Sequence, residues 1–327
     1  MRRTNLKRDV INRAILPKLA VAATLLAACF PASTLAQQKG QKTYATAEAA
    51  SQALDSAAQA NDESAMLQVL GPQGKDIITS GDPAQDTQNR ANFAQKFKEM
   101  HRLVTEPDGT TTLYLGAENW PTPIPLIKKD NVWYFDTAAG KREILYRRVG
   151  QNELSAIRVC QELVAAEKDY FSKDDSEYAA KLVSDPGKHN GLYWPDAAKP
   201  SESPVGPLVA DASGDAAHDT SLPTGPVPFR GYYFRILVRQ GKHAPGGAMD
   251  YVVDGKMTKG FAFVAFPAMY RDSGVMTFIV NQDGIVYERD LGKQTDERAK
   301  AIKEYDPDSS WKKSEEPEQS AANQKTE

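Results

Sequence analysis

Cysteine is scarce in this chain: Cys29 and Cys160 are the two among 327 residues. At most one intramolecular disulfide is therefore available, and none is available if the segment around Cys29 is removed or if Cys29 carries a lipid. The fold then has to rest on an apolar core alone. The remaining residues, about 290, are enough for two domains of ordinary size.

Motifs of the common catalytic sites are also missing. The four histidines form no i, i+4 zinc pair and join no cysteine at ligand spacing. Asp272-Ser273-Gly274 lacks the first glycine of a nucleophile elbow. Asp283-Gly284 lies between two alternating apolar runs, which predicts a hairpin turn rather than a calcium loop. These absences favour a non-enzymatic protein, and we expect no metal and no cofactor.

Long apolar runs are absent except near the amino end. Residues 1–18 hold six Lys or Arg against one acid, and the uncharged run at residues 19–30 is shorter than the roughly 20 residues of a membrane span. A basic segment, a short apolar run and then small residues are typical of a secretory signal peptide. We therefore assign residues 1–36 as a signal peptide and expect no transmembrane helix after it.

Two cleavage sites are open within LLAACFPASTLAQQ. Cleavage before Cys29, which ends a lipobox, predicts a membrane-anchored lipoprotein. Cleavage after Ala36 predicts a free periplasmic or secreted protein. We favour the second because Pro31 ends the apolar helix and because Thr34 and Ala36 are small residues at the positions that an ordinary signal peptidase reads.

After the predicted signal peptide, the chain has no excess of positive charge. Residues 1–36 hold six of the 40 Lys and Arg residues and one of the 43 Asp and Glu residues. The rest of the chain therefore has 34 basic and 42 acidic residues and a net charge of −8. Binding to a phosphate backbone needs a basic face, so we expect no nucleic acid partner. We expect membrane contact only if Cys29 is lipidated.

The hydrophobic pattern predicts two α+β halves. In residues 40–149, a helix capped by Thr46, a helix at Glu63–Leu70 and a helix over Pro83–Val104 precede a curled antiparallel sheet, which predicts a cone-like domain similar to nuclear-transport-factor-like folds. The strands of this sheet are predicted at Thr111–Leu115, Ile124–Ile127 and Val132–Asp136.

Residues 150–305 predict a long helix packed on a second antiparallel sheet. Residues 141–171 have a helical pattern with a break at Gly150, and Cys160 lies in the apolar stripe as a core residue. A Pro-, Ser- and Ala-rich loop covers residues 196–228, and residues 306–327 form a disordered polar tail. The strands are predicted at Gly231–Val238, Phe261–Pro267, Val275–Asn281 and Ile285–Arg289.

Two aromatic clusters flanked by proline are the candidate binding residues. Trp120 lies in one cluster, and Tyr193 and Trp194 lie in the other. Proline holds the chain extended and can present a ring at a surface for a peptide, a glycan or another envelope protein. The alternative, which we favour, is that these rings cover the edge of a core, because large aromatic side chains are usually well buried.

Several segments of the chain are distinctive: SGDP (80–83), NWPTPIPL (119–126), WYFDTAAG (133–140), GQNELSAI (150–157), GLYWP (191–195), GYYFRIL (231–237) and SGVMTFIVNQDGIVYERDLG (273–292). With these segments, the chain from about Tyr44 to Trp311 resembles an uncharacterised bacterial envelope family, domain of unknown function 2950, which is expected to be exported and has no assigned activity. The back half has a long helix at Asn152–Phe171, a YAAKL segment, a GYYFR strand and a closing FIVNQDGI hairpin. In this order of elements it also resembles the headgroup of type IV pilin-like proteins, without the apolar stem that packs into a pilus.

Two classes of function remain. The first is an exported, non-enzymatic envelope protein that acts in binding or assembly. The alternative is a periplasmic hydrolase with a pocket in the cone-like domain, where acids such as Asp82 or Asp136 transfer protons. A concave pocket with converging polar groups and a carboxylate of perturbed pKa would favour the hydrolase.

Overall fold

The computed structural model describes residues 37–173, 176–195, 203–214 and 226–315. Within them the fold is α+β, as the sequence predicts. The predicted signal peptide, including Cys29, lies outside the described residues. The first helices begin where side-chain caps occur, since Thr46 accepts a hydrogen bond from the backbone N–H of Ala49. The helices before the first sheet are α1 (Ala47–Gln59), α2 (Glu63–Leu70), α3 (Lys75–Ile78) and α4 (Pro83–Glu99), with a 3-10 turn at Pro72–Gly74.

The first sheet is antiparallel and packs against these helices. Its strands are β1 (His101–Thr105), β2 (Thr111–Leu115), β3 (Trp120–Pro121), β4 (Leu126–Lys129) and β5 (Val132–Phe135). Their order in the sheet is β1-β2-β4-β5, with the short β3 pairing with β2. Apolar side chains of α1, α2, β4 and β5 form one buried cluster, and a smaller cluster lies between α4 and β2.

The predicted helix over Pro83–Val104 is too long. The helix ends at Glu99, and the residues from His101 onward form strand β1. The apolar residues at positions 93, 97, 100 and 104 continue a helical spacing across this boundary, which explains the error. Pairing of β1 with β2 along five residues satisfies the backbone there, and Leu103 packs beside Phe97.

A 37-residue helix, α5 (Thr137–Lys173), links the two sheets. It passes through Gly150 without interruption, so the predicted break there is wrong. A glycine costs a helix roughly 1 kcal/mol. Packing along the rest of the helix offsets that cost. The proposed domain boundary at residues 149 and 150 thus falls inside one helix, and the division into two domains stays a prediction.

The strands after α5 are β6 (Tyr232–Leu237), β7 (Arg239–Gln240), β8 (Met249–Asp250), β9 (Val252–Val253), β10 (Lys256–Met257), β11 (Ala262–Pro267), β12 (Met276–Asn281), β13 (Tyr287–Asp290) and β14 (Lys312–Lys313). The remaining helices are α6 (Pro207–Ala210) and α7 (Thr295–Ala301), with a 3-10 turn at Gly292–Gln294.

The second sheet has the antiparallel order β14-β13-β12-β11-β6, and α5 packs on β11 and β12 as predicted. The predicted strands of this half are present within two residues of their expected ends, and the turn at Asp283-Gly284 joins β12 to β13.

The middle of α5 is tied to the segment that enters β12. Asn152 Nδ2 donates to the backbone carbonyl of Ser273 at 2.8 Å. Glu153 Oε1 accepts from the backbone N–H groups of Val275 and Met276 at 2.8 and 3.1 Å. These bonds fix the helix to the start of β12, the central strand of the second sheet.

The predicted disordered tail is ordered as far as the structure describes it. Strand β14 pairs with β13, Trp311 packs against the core, and Ser314 is buried. The sequence did not predict these few contacts because the tail is mostly polar. Residues 316–327 and the greater part of the loop at 196–228 lie outside the described residues.

Cys160 is a core residue, as the sequence predicts. It is fully buried in the cluster between α5 and the second sheet, and this burial raises the pKa of its thiol to about 12. In a chain beginning at Gln37, we expect iodoacetamide at about pH 8 to modify the folded protein about a thousandfold more slowly than the denatured protein. Mass spectrometry over time measures both rates, and equal rates would show that the thiol is accessible.

Candidate functional site

An apolar cavity of about 420 Å³ lies in the amino-terminal half. Cavities of 300–1,000 Å³ are typical of small-molecule sites. Its apolar wall comes from the four helices α1 to α4, the loop before β4, and β5. The lining residues are Leu54, Met66, Leu70, Asp76, Ile77, Ile78, Thr79, Ser80, Asp86, Asn89, Arg90, Phe93, Trp120, Thr122, Pro123, Ile124 and Phe135.

One rim of the cavity is built by the turn that precedes α4. Asp82 caps the helix by accepting from the backbone N–H groups of Ala84 and Gln85. Asp86 Oδ1 accepts from both the backbone N–H and the hydroxyl of Ser80, at 2.8 and 2.7 Å. The turn is thereby held against the helix, which keeps this side of the cavity in place.

The lining of the cavity also includes Trp120, one of the residues singled out from the sequence. Its side chain is 47% exposed, and the guanidinium of Arg147 lies 5.4 Å from the ring centroid. Arg147 also donates to the carbonyl of Pro121 at 2.8 Å, which fixes the strand beside α5. Trp120 is therefore held in place at the edge of an apolar cavity and is not part of a core.

Tyr193 and Trp194 do not line this cavity. They pack, partly buried, against the core of the carboxyl-terminal half. The indole Nε1 of Trp194 donates to the carbonyl of Gly191 at 2.8 Å, and its ring stacks on His189 with centroids 4.1 Å apart. Such contacts are expected if the two rings cover the edge of a core, which is the alternative that we favour. A role for this pair in binding stays a prediction.

Arg90 is the polar residue of the cavity that sequence reasoning missed. Its side chain is 9% exposed. Nη1 donates to Asn61 Oδ1 at 3.1 Å, and Nη2 lies 3.9 Å from Glu63 Oε2. Nε is shielded from water and has no hydrogen-bond partner among the described residues. A sequence signal exists, because Arg90 lies three residues before Phe93 and seven before Phe97, on the buried face of α4.

Thr122 is a second polar residue that the sequence did not reveal. Its Oγ1 is likewise buried without a partner in the described part of the chain. Its backbone N–H donates to the carbonyl of Leu113, which anchors the loop to the sheet. Unmet hydrogen-bonding capacity is unusual in a folded protein, and Arg90 and Thr122, which both show it, belong to the lining of the cavity.

The acids of the hydrolase alternative are helix caps. Asp82 caps α4, and Asp136 Oδ1 accepts from the backbone N–H of Ala139 at the start of α5. The acids that do line the cavity are Asp86 and Asp76. The hydrogen bonds from Ser80 lower the pKa of Asp86, and the hydrogen bond from Lys141 lowers the pKa of Asp76. Carboxyls that hold their negative charge in this way are poor proton donors near neutral pH.

Among the described residues, no group of three His, Cys, Asp or Glu side chains could hold a metal ion. None of the helices in the described part of the chain combines the length and the apolar character of a membrane span.

A model of a known protein family covers most of the chain. The family model described as protein of unknown function (DUF2950) matches residues 41–314. Searches of curated proteins and of solved structures each gave no match. The likenesses to pilin headgroups and to cone-like folds therefore stay predictions.

Proposed function

The chain belongs to the DUF2950 family of proteins of unknown function, and from that premise we propose that it is an exported, non-enzymatic binding protein of the bacterial envelope. Its cavity in the amino-terminal half takes up a small ligand with an apolar body. Export is proposed from the basic and apolar pattern of residues 1–36, with release after Ala36 favoured over anchoring at Cys29.

The observation that carries this proposal is the cavity itself. It combines an apolar wall with a few polar residues, among them Asn89, Arg90 and Thr122. Three of the segments by which the family resemblance is recognised border it: Ser80 comes from the first, Trp120, Thr122 and Ile124 from the second, and Phe135 from the third. Binding by apolar contact with a few placed polar groups is the usual composition of a ligand site.

Binding should strengthen with the length of the apolar chain. Each methylene group moved from water into the cavity contributes about 0.8 kcal/mol, or roughly a fourfold gain in affinity. Isothermal titration calorimetry of the protein from Gln37 onward with 1-octanol, 1-nonanol and 1-decanol measures the trend. We expect successive fourfold steps until the cavity is full.

Filling the cavity should abolish this binding. Ile77 is a half-buried residue of the lining, and Ile77→Trp places extra volume inside. Leu208→Trp is the matched control, because Leu208 is 64% exposed in the other half and is not a lining residue. Equal binding by both variants would place the alcohols outside the cavity and contradict the proposal.

A further inference from the structure

We propose that a second pocket, in the carboxyl-terminal half, binds a small carboxylate that carries an apolar group, with Arg289 holding the carboxylate. This pocket lies between the end of α7, the segment over residues 302–311 and strand β13. Its volume of about 420 Å³ is within the range of about 300–1,000 Å³ that is typical of small-molecule sites. It is a different site from the cavity of the amino-terminal half, and the proposal goes beyond the function proposed for that cavity.

Hydrogen bonds hold the walls of this pocket in place. Arg235 on β6 donates to the backbone carbonyls of Ala299 and Ile302 at 2.9 and 2.7 Å, which fixes the end of α7 against the sheet. Further along the segment, Asp306 accepts from the backbone N–H of His243 at 2.7 Å. A ligand therefore meets walls that are already formed.

Arg289 has hydrogen-bonding capacity to spare on the lining of this pocket. Its guanidinium lies 6.0 Å from the ring centroid of Trp311, close enough for a cation–π contact. Within the described residues this guanidinium makes no hydrogen bond and no ion pair. The side chain is partly buried, yet none of its nitrogens is shielded from water without a partner, so its N–H groups are accessible. A ligand that enters the pocket can reach them.

A carboxylate is the acceptor that suits a guanidinium held in this way. A guanidinium can only donate, and its planar fork of N–H groups matches the two oxygens of a carboxylate. The contact with Trp311 limits the motion of the fork, so less freedom is lost when the ligand binds. Ala301, Ile302 and Trp311 line the pocket with accessible apolar surface, which suits an apolar group next to the carboxylate.

The acids of the pocket do not supply the acceptor that Arg289 lacks. Asp306 faces His243 with both oxygens, which lie 2.7 Å from its backbone nitrogen and 2.9 Å from Nδ1. Hydrogen bonds from Ser310 lower the pKa of Asp308, and the nearby charge of Arg289 adds to this effect. Asp308 thus stays anionic near Arg289 without forming an ion pair with it.

These charges favour a ligand with one negative charge and no more. The lining has three basic and three acidic side chains, so its formal charge is zero before a ligand binds. A single carboxylate gains the free N–H groups of Arg289, whereas Asp306 and Asp308 repel a dianion more strongly. A cation would approach Arg289 and leave its N–H groups without an acceptor.

The test compares three headgroups on one aromatic body. Phenylacetate, phenylacetamide and phenethylamine are titrated at about pH 7 into the isotope-labelled protein from Gln37 onward, and nuclear magnetic resonance follows the indole N–H signal of Trp311. Trp311→Phe identifies this signal among those of the four tryptophans. We expect phenylacetate to shift the signal and to bind at least about tenfold more tightly than the other two compounds.

Arg289→Gln should weaken phenylacetate at least about tenfold and weaken phenylacetamide less. Arg271→Gln is the matched control, because Arg271 lies 5.4 Å from the ring centroid of Tyr270 and does not line the pocket. If Arg289→Gln fails to fold, the comparison of phenylacetate with phenylacetamide on the wild-type protein decides.

Three results would overturn the proposal: equal affinity for the three compounds, an unchanged affinity for phenylacetate in Arg289→Gln, or a Trp311 signal that phenylacetate does not shift. Binding of 1-octanol in the cavity of the amino-terminal half is independent of all three. The two proposals can therefore fail separately.

Discussion

Gly274→Ala is expected to lower the free energy of unfolding by about 3 kcal/mol or more, the largest loss for a single methyl group in the described chain. A Cβ atom at this position would lie 2.1 Å from the hydroxyl oxygen of Tyr232 and 2.6 Å from its ring. Tyr232 is fully buried and donates to the carbonyl of Met276 at 2.8 Å, so the ring has no room to retreat. Urea unfolding followed by circular dichroism measures the loss.

Gly150→Ala is the matched control for this change. Gly150 lies inside α5, and a Cβ atom there meets nothing within 4 Å among the described residues. We expect this alanine to stabilise the protein by about 0.5–1 kcal/mol, because alanine loses less backbone entropy than glycine in a helix. A Gly274→Ala variant as stable as wild type would show that Tyr232 is not fixed at the edge of the second sheet.

Glu167→Gln is expected to stabilise the protein at alkaline pH and to change little in acid. Glu167 is fully buried on α5, and Oε2 accepts from the backbone N–H of Ala179 at 2.9 Å, while Oε1 has no partner in the described chain. Burial raises the pKa of this carboxyl well above its ordinary value. The folded state therefore keeps the proton at pH values where the unfolded chain has lost it.

The sign of the pH effect follows from proton linkage. Between the unfolded pKa of about 4.3 and the raised folded pKa, the folded protein binds more protons, so its stability falls as pH rises. Glutamine cannot ionise, and the advantage of Glu167→Gln should grow over this range to at least about 1 kcal/mol at pH 8. Glu162→Gln, on the exposed face of the same helix, is the control. An advantage of Glu167→Gln that is the same at about pH 4 and pH 8 would contradict the account.

Much of the fold was predictable because its signals are local. The cap at Thr46 and the Gly71-Pro72 stop define α1 and α2, and short continuous apolar runs define the central strands β11 and β12. The errors occurred where tertiary contacts override local preference. Gly150 remains helical because α5 is packed on both sides of it, and His101 leaves the helix because β2 offers a pairing partner.

The site was less predictable than the fold. The prolines beside Trp120 made it a candidate binding residue, and Trp120 does line the cavity. Arg90 and Thr122 were missed, since an arginine on a helix and a threonine in a loop are ordinary surface residues in a sequence. The cavity is lined by residues distant in sequence, at positions 54, 66, 90 and 122. No local sequence pattern predicts that these positions lie close together in the fold.

A crystal structure with 10-bromo-1-decanol tests the central claim most directly, since bromine is located by its anomalous scattering. The account predicts bromine inside the cavity, among Leu54, Met66 and Leu70. A cavity that stays empty in crystals soaked at a saturating ligand concentration, or bromine bound only at the outer surface, would contradict it.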